Sequence, residues 1–306
     1  MIQTLMNQQA PQLKPSLKAH IMVFAATVLV AGSFIAAQHL SSLVNPFSLT
    51  LLRFICAAVF LLPLILIKTH WRQAILGIMP RAMVISFFYS AFFIGLFESL
   101  KYTTTLNTGT LYTLVPSFTA LVCLLLFGDK IPHKKTAAYV LGALGTCWVI
   151  FKGDITALLL FQLNYGDAIF LTGALCMCGY TVTLKYLYRG DDLIPLVFCN
   201  LLGGIFWMSL ALILSGLPLE WHKIEGEAVW HMGYLIIGAT LTTMYLFQHA
   251  TIALGPQKIM AYSYLNPAVL ALLLWLVSGQ EIDLIIIPGI LLTALATVVL
   301  QGRDKP

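Results

Sequence analysis

TLYTLVPSFTALVCLLLFGD at residues 110–129 and AYSYLNPAVLALLLWLVSGQ at residues 261–280 decide the fold when read together. Each is a long apolar run with one proline near its start and one glycine near its end. Pro116 meets Pro267 and Gly128 meets Gly279, both at an offset of 151 residues. The same offset carries ALGT (143–146) onto ALAT (294–297), while Gly32 with Gly179 and Leu40 with Leu187 follow an offset of 147. Matches in the same order along several segments indicate that the chain is written twice.

The composition says where such a chain lives. Of 306 residues, 59% are hydrophobic and only 9% charged, against about 25% charged in a soluble domain. There are too few polar groups to cover a water-facing surface. The runs are long and continuous, unlike the short alternating segments of a membrane barrel. A spanning helix needs about 20 apolar residues, and ten candidates occur: 20–40, 46–67, 79–99, 104–127, 136–151, 167–187, 194–214, 229–251, 258–278 and 282–300. The fifth is short and is expected to gain length from the Pro132–Lys135 end or to thin the bilayer. The expected class is an all-α polytopic membrane protein, ten transmembrane helices in two inverted five-helix repeats. Its parts are a tail (1–19), a first repeat (20–151), a periplasmic linker (152–166), a second repeat (167–300) and a tail (301–306).

Charge sets the orientation. With the N-terminus inside, thirteen of the seventeen Lys and Arg lie in inner segments and three in outer loops, namely Lys101, Lys152 and Lys223. This positive-inside bias predicts cytoplasmic N- and C-termini in a bacterial-type inner membrane. The first span, preceded by Lys14 and Lys18, partly resembles a secretory signal. Its removal would break the repeat, so an uncleaved helix is expected. Five helices per repeat is an odd number, so the second unit enters the membrane from the opposite side, a recurrent device of secondary transporters.

Polar residues inside the apolar runs are the candidate site. Arg53 interrupts LTLLRFICAAVF (49–60) in the outer third of the second span. A charge there is costly and by default functional. Three readings stand: an ion pair with Glu98 at similar depth, a cavity-facing cation for a carboxylate, or snorkelling to the outer interface. Under the repeat, Arg53 maps to Asn200, Glu98 to His249 and Asn107 to Lys258. This suggests an outer polar station of Arg53 with Glu98 and an inner one of Asn200 with His249. Unrelated buried polar groups bonded to nearby backbone are the alternative. Tyr112, Tyr180, Tyr262 and Tyr264 suit either helix packing or a cavity for amphipathic solutes. Lys258 could contact a substrate carboxylate or sit at the cytoplasmic interface. Pro116 and Pro267 should kink their helices. Asn266 opens the triplet NPA (266–268), whose repeat partner is VPS (115–117), so a water-channel reading gains nothing from it.

Other classes are poorly served. The six cysteines lie in apolar runs, and Cys176 and Cys178, two apart, point away from each other on a helix. No metal and no cofactor are expected. Basic residues form no stripe, which disfavours nucleic acid. No phosphate-binding loop and no hydrolase or zinc-protease motif occurs, which disfavours a pump or a membrane enzyme.

SLKYTTTLNTGTLYTLVPSFTALVCLLLFGDK (99–130), NYGDAIFLTGALCMCGYTVTLKYL (164–187) and ALGPQKIMAYSYLNPAVLALL (253–273) carry a family resemblance. In order and spacing the chain resembles the ten-helix members of the EamA-type drug/metabolite transporter superfamily over about 20–300. The resemblance implies an inner-membrane permease for small polar metabolites, such as amino-acid-like solutes, often working in efflux. It implies a central cavity lined by the first four helices of each half, with the fifth and tenth peripheral. One departure is that the acid after the helix-ending glycine, Asp129 in the first half, is Gln280 in the second, followed by Glu281. Uptake of a vitamin-like or nucleoside-like solute is the competing transport reading. The partners expected are a small-molecule substrate and the lipid bilayer, with protons a candidate coupling ion (Glu98 and His249 being the titratable candidates). Either a monomer or a homodimer is compatible.

Overall fold

The computed structural model describes residues 17–128, 132–154, 156, 163–279 and 281–302. Asp129, Gln280, part of the linker at 152–166 and most of both tails lie outside these residues. The described chain is helical, with no strand among the described residues. The first half contains α1 (Leu17–Ser41), α2 (Pro46–Ile67), α3 (Thr69–Ser99), α4 (Thr105–Leu111), α5 (Val115–Phe127) and α6 (His133–Ile150). The second contains α7 (Tyr165–Leu187), α8 (Leu193–Ser215), α9 (Glu227–Ile236), α10 (Thr243–Leu254), α11 (Pro256–Met260), α12 (Asn266–Ser278) and α13 (Ile287–Gln301).

Short pieces join into longer rods. A 3₁₀ turn at Tyr112–Leu114 links α4 to α5, another at Ala261–Leu265 links α11 to α12, and a π segment at Ile237–Thr242 links α9 to α10. Among the described residues, nine helical segments are long and apolar enough to cross a bilayer. The expected fifth span corresponds to α6, which is helical but less apolar because His133, Lys134 and Lys135 occupy its first turn. The third helix is ten residues longer than its expected span of 79–99, starting at Thr69. Apolarity marks where a helix enters hydrocarbon, and the polar segment before it remains free to stay helical.

Local chemistry explains several boundaries. Asn45 caps α2 by accepting from the Ser48 amide, and Pro46 follows at the first helical position, where a missing N–H costs nothing. Asn164 and Asp167 form a reciprocal capping box at the start of α7. Thr103 Oγ1 donates to Asp167 Oδ1 at 2.6 Å, which pins α7 to the turn after α3. Gly128 and Gly279 end α5 and α12 in the left-handed region, at φ +68° and +63°, which favours glycine because no Cβ clashes.

The helices pair reciprocally between the halves: α3 with α7, α1 with α9 and α10, α2 with α8, α6 with α13. Two of these pairs close on glycine. A Cβ on Gly95 would lie 2.8 Å from the Gly173 Cα, and one on Gly145 or on Gly289 would lie 2.7 Å from the other's carbonyl oxygen. In lipid, apolar burial does not drive helices together, so close backbone contact at small residues does. Leu125, Val277, Ile213 and Val298, on the outside of the bundle, are 70% exposed or more, as a hydrocarbon-facing surface requires.

Candidate functional site

Where α1, α3, the α4–α5 junction, α7 and α10 converge, aromatic side chains leave a narrow cavity of about 20 Å³. That holds roughly one water molecule. Phe34, Tyr89, Phe93 and Tyr112 line it from the first half, Tyr180 and Phe247 from the second. The rings are packed against one another. Tyr89 lies 4.7 Å from Tyr180 and 4.8 Å from Phe93, the latter edge to face, and Tyr112 lies 5.7 Å from Phe92. Tyr180 also faces the side chain of Gln248, which is fully buried.

A second cavity, of about 10 Å³, shares Val30, Tyr112 and Phe247 with the first and continues along α1 towards α11. Asn266 and Ser263 line it. Asn266 is wholly buried, yet neither amide atom has a hydrogen-bond partner. An unsatisfied buried amide costs about 1–3 kcal/mol per group, so this one is placed at the expense of stability.

Arg53 stands behind the first cavity's wall. It is 1% exposed. Its Nε donates to Thr240 Oγ1, its Nη2 donates to the Ala239 carbonyl at 2.7 Å, and Cζ lies 4.1 Å from the Phe93 ring centroid. Ala239 and Thr240 belong to the π segment, and both Ala239 and Phe93 line the cavity. The Thr240 hydroxyl in turn donates to the Leu235 carbonyl at 2.7 Å. Nη1 is buried without a partner.

The expected outer pair does not form. Glu98 is bound to Lys101, one turn further on, at 2.7 Å. Similar depth did not bring Arg53 and Glu98 together, because Arg53 faces α9–α10 while Glu98 sits where its helix ends in polar surroundings. Snorkelling is likewise replaced by burial. The expected inner pair is also unbonded: both amide atoms of Asn200 are buried without partners, whereas His249 is half-buried beside Tyr245, with ring centroids 6.5 Å apart. Asn107 is half-buried in the first turn of α4, where its amide is capped by Thr104. Lys258 lies in α11, and its carbonyl accepts from Gln301 Nε2 at 2.7 Å. Tyr262 meets His20 of α1, Nδ1 to hydroxyl, at 2.9 Å.

Pro116 and Pro267 lie within helical rods whose hydrogen-bond pattern changes just before each proline. Each occupies the second position of a helix that restarts after a 3₁₀ turn. Proline has no N–H to offer, and the Tyr112 and Ser263 carbonyls four residues before it accept in 3₁₀ fashion from the Val115 and Asn266 amides instead. The breaks therefore lie at Tyr112–Leu114 and Ala261–Leu265, and each puts one predicted residue, Tyr112 or Asn266, at a cavity.

Sequence reasoning missed Tyr89, Phe93 and the π segment. The spacing of Tyr89 and Phe93 in ISFFYSAFFIGLF (85–97) puts them on one helix face, but that face reads equally as core. Nothing in GATLTT (238–243) announces a π turn.

The fold has solved counterparts. A crystal structure 19% identical in sequence superposes with a TM-score of 0.69, covering 93% of this chain and 96% of its own. At that identity the likeness concerns the fold alone. Among curated proteins, "Uncharacterized transporter YyaM" of Bacillus subtilis is 24% identical over 251 residues, spanning 75% of this chain and 81% of the relative. An "Uncharacterized transporter" of Archaeoglobus fulgidus is 25% identical over 296 residues, spanning 90% and 97%. The EamA-like transporter family matches residues 17–151 and again residues 164–301, one match per half. The chain thus belongs to the EamA-like transporter family, as a multi-pass membrane transporter.

Proposed function

We propose that the protein is a secondary carrier that exports a small polar metabolite across the inner membrane by alternating access. The moving parts are two inverted halves, 20–151 and 167–300, each of five spans, with α6 as the fifth of ten and both termini cytoplasmic. One observation carries this reading: the central cavity is lined from both halves and is too small for any metabolite. A solute enters such a site only if the halves separate on one side.

The ends of α1 are where separation is expected. At its C-terminal end His39 stacks on His231 of α9, with centroids 4.4 Å apart, and at its N-terminal end His20 meets Tyr262. Both ends touch the second half at once, as in an occluded state. The two-fold match of the family and the reciprocal helix pairing support the inverted arrangement. Tyr112, Tyr180 and Asn266 are the proposed solute-facing residues. Asn107, Asn200, His249, Lys258 and Tyr262 are proposed to act outside the central chamber, while Glu98, paired with Lys101, is given no part in transport.

The test is flux. Purified protein in proteoliposomes should move a labelled small metabolite and show counterflow when preloaded. Chemical conversion of solutes with no net movement would overturn the proposal. Single cysteines at Lys68 and Lys223 should react with impermeant reagents from opposite sides, and labelling of both from one side would break the topology.

A further inference from the structure

We infer that Arg53 is the anchor for one carboxylate of the transported solute, and that the solute is a monocarboxylic acid with a flat apolar body. This rests on the carrier reading above and names its substrate class.

The first ground is charge. Arg53 is a fully buried cation with no Asp or Glu within ion-pair distance among the described residues. The phenols of Tyr89 and Tyr234 are close enough to interact electrostatically with it. A buried cation without a counter-charge is strongly destabilising, and an apolar residue of similar size would pack the same space at lower cost. Two of the guanidinium nitrogens are held rigidly by the π segment, while Nη1 has no partner. Interruptions of this kind in a helix are rare and recur at functional sites. Here the π segment supplies both acceptors that aim the guanidinium.

The second ground is the chamber next to it. Its lining is aromatic and aliphatic, relieved only by hydroxyls such as those of Ser33 and Thr243, with no Lys, Asp, Glu or His. One positive charge matches one negative charge. A phosphate dianion would exceed it, and an ammonium group would find ring faces but no carboxylate. The rings suit a planar body of matching polarity. Phe93 covers the guanidinium and also faces the chamber. Rotation of this ring as the halves separate would open Nη1 to the solute carboxylate. Arg53 then joins α2 of one half, the π segment of the other and the solute in one polar link.

The experiment compares phenylacetate, 2-phenylethanol, phenylethylamine and phenyl phosphate on the purified full-length protein, by calorimetric titration and thermal unfolding. Phenylacetate should bind at least about tenfold more tightly than the other three. Arg53→Gln should lose at least that factor, and Arg53→Lys should keep part of it. The inference falls if the alcohol, the amine or the phosphate binds as well as phenylacetate, if no probe binds, or if Arg53→Gln retains wild-type affinity. Should Arg53→Gln fail to fold, the four-ligand series on the wild type decides alone. Flux is scored separately in proteoliposomes. Acid binding without movement leaves the anchor standing and removes the carrier; movement of neutral or cationic solutes without acid binding does the reverse.

Discussion

The two glycine crossings and the aromatic centre are both contacts between the halves, but they are built in opposite ways. At Gly95–Gly173 and Gly145–Gly289 backbone meets backbone, and the space of a single methyl group is already taken. At the centre, large rings surround a cavity, and Asn266 and one nitrogen of Arg53 lack partners. Close packing has one solution and resists change. A centre with unpartnered polar groups has spare bonding capacity. Under the proposed carrier mechanism the crossings would act as the fulcrum, and the centre would be the part that rearranges around a solute.

The comparison breaks most readily at the crossings. Gly95→Leu drives a side chain into the α7 backbone, so the variant should lose about 3 kcal/mol or more and fail to elute as a single species on size exclusion. Wild-type elution and melting would show that the crossing has slack. Next comes the cap that fixes α7. Asp167→Ala removes a buried acceptor from Thr103 and from the backbone amide of Asn164. It should cost about 1–3 kcal/mol, read as a lower thermal midpoint with transport per folded molecule unchanged.

The centre should respond in the opposite sense. Asn266→Leu replaces unpartnered amide atoms with apolar ones of similar volume. Stability should be unchanged or higher by up to about 1 kcal/mol, while the transport rate falls about tenfold. A variant that transports normally would take Asn266 out of the solute path, and one that melts lower would reveal a bond formed in another state. The smallest effect belongs to Glu98→Gln. Glu98 and Lys101 form a partly exposed ion pair one turn apart, worth about 0.5 kcal/mol or less. Neither the melting midpoint nor the flux should move measurably, and a large loss of flux would restore Glu98 to the mechanism.

Much of the site was half-legible. Arg53, Tyr112, Tyr180 and Asn266 stand out because polar or amphipathic groups are rare in apolar runs, and the structure puts all four at or behind the central cavities. Pairing Arg53 with Glu98 by depth failed. Depth fixes a position along the membrane normal, whereas contact also needs the rotation of each helix, which a few residues of turn geometry decide. Trp71 illustrates the same limit. A tryptophan near the end of a span suits interfacial anchoring, but in the fold its indole donates to Asp192 at 2.8 Å, beside the Arg81–Asp191 ion pair at 2.6 Å. These contacts tie α3 to the α7–α8 turn.

By itself the sequence determined the membrane class, the long apolar segments and the doubling that the two family matches reflect. Those properties depend on runs of residue type, and a bilayer reads them one segment at a time. Only the tertiary structure decided which polar groups meet, where Arg53 finds its acceptors and that Glu98 turns to Lys101. Those outcomes depend on helix rotation, on a π turn at Ile237–Thr242 and on glycines of one half seated against glycines of the other. Most of them arise from packing between residues far apart in the chain, 78 positions for Gly95–Gly173 and 187 for Arg53–Thr240, which no local pattern encodes.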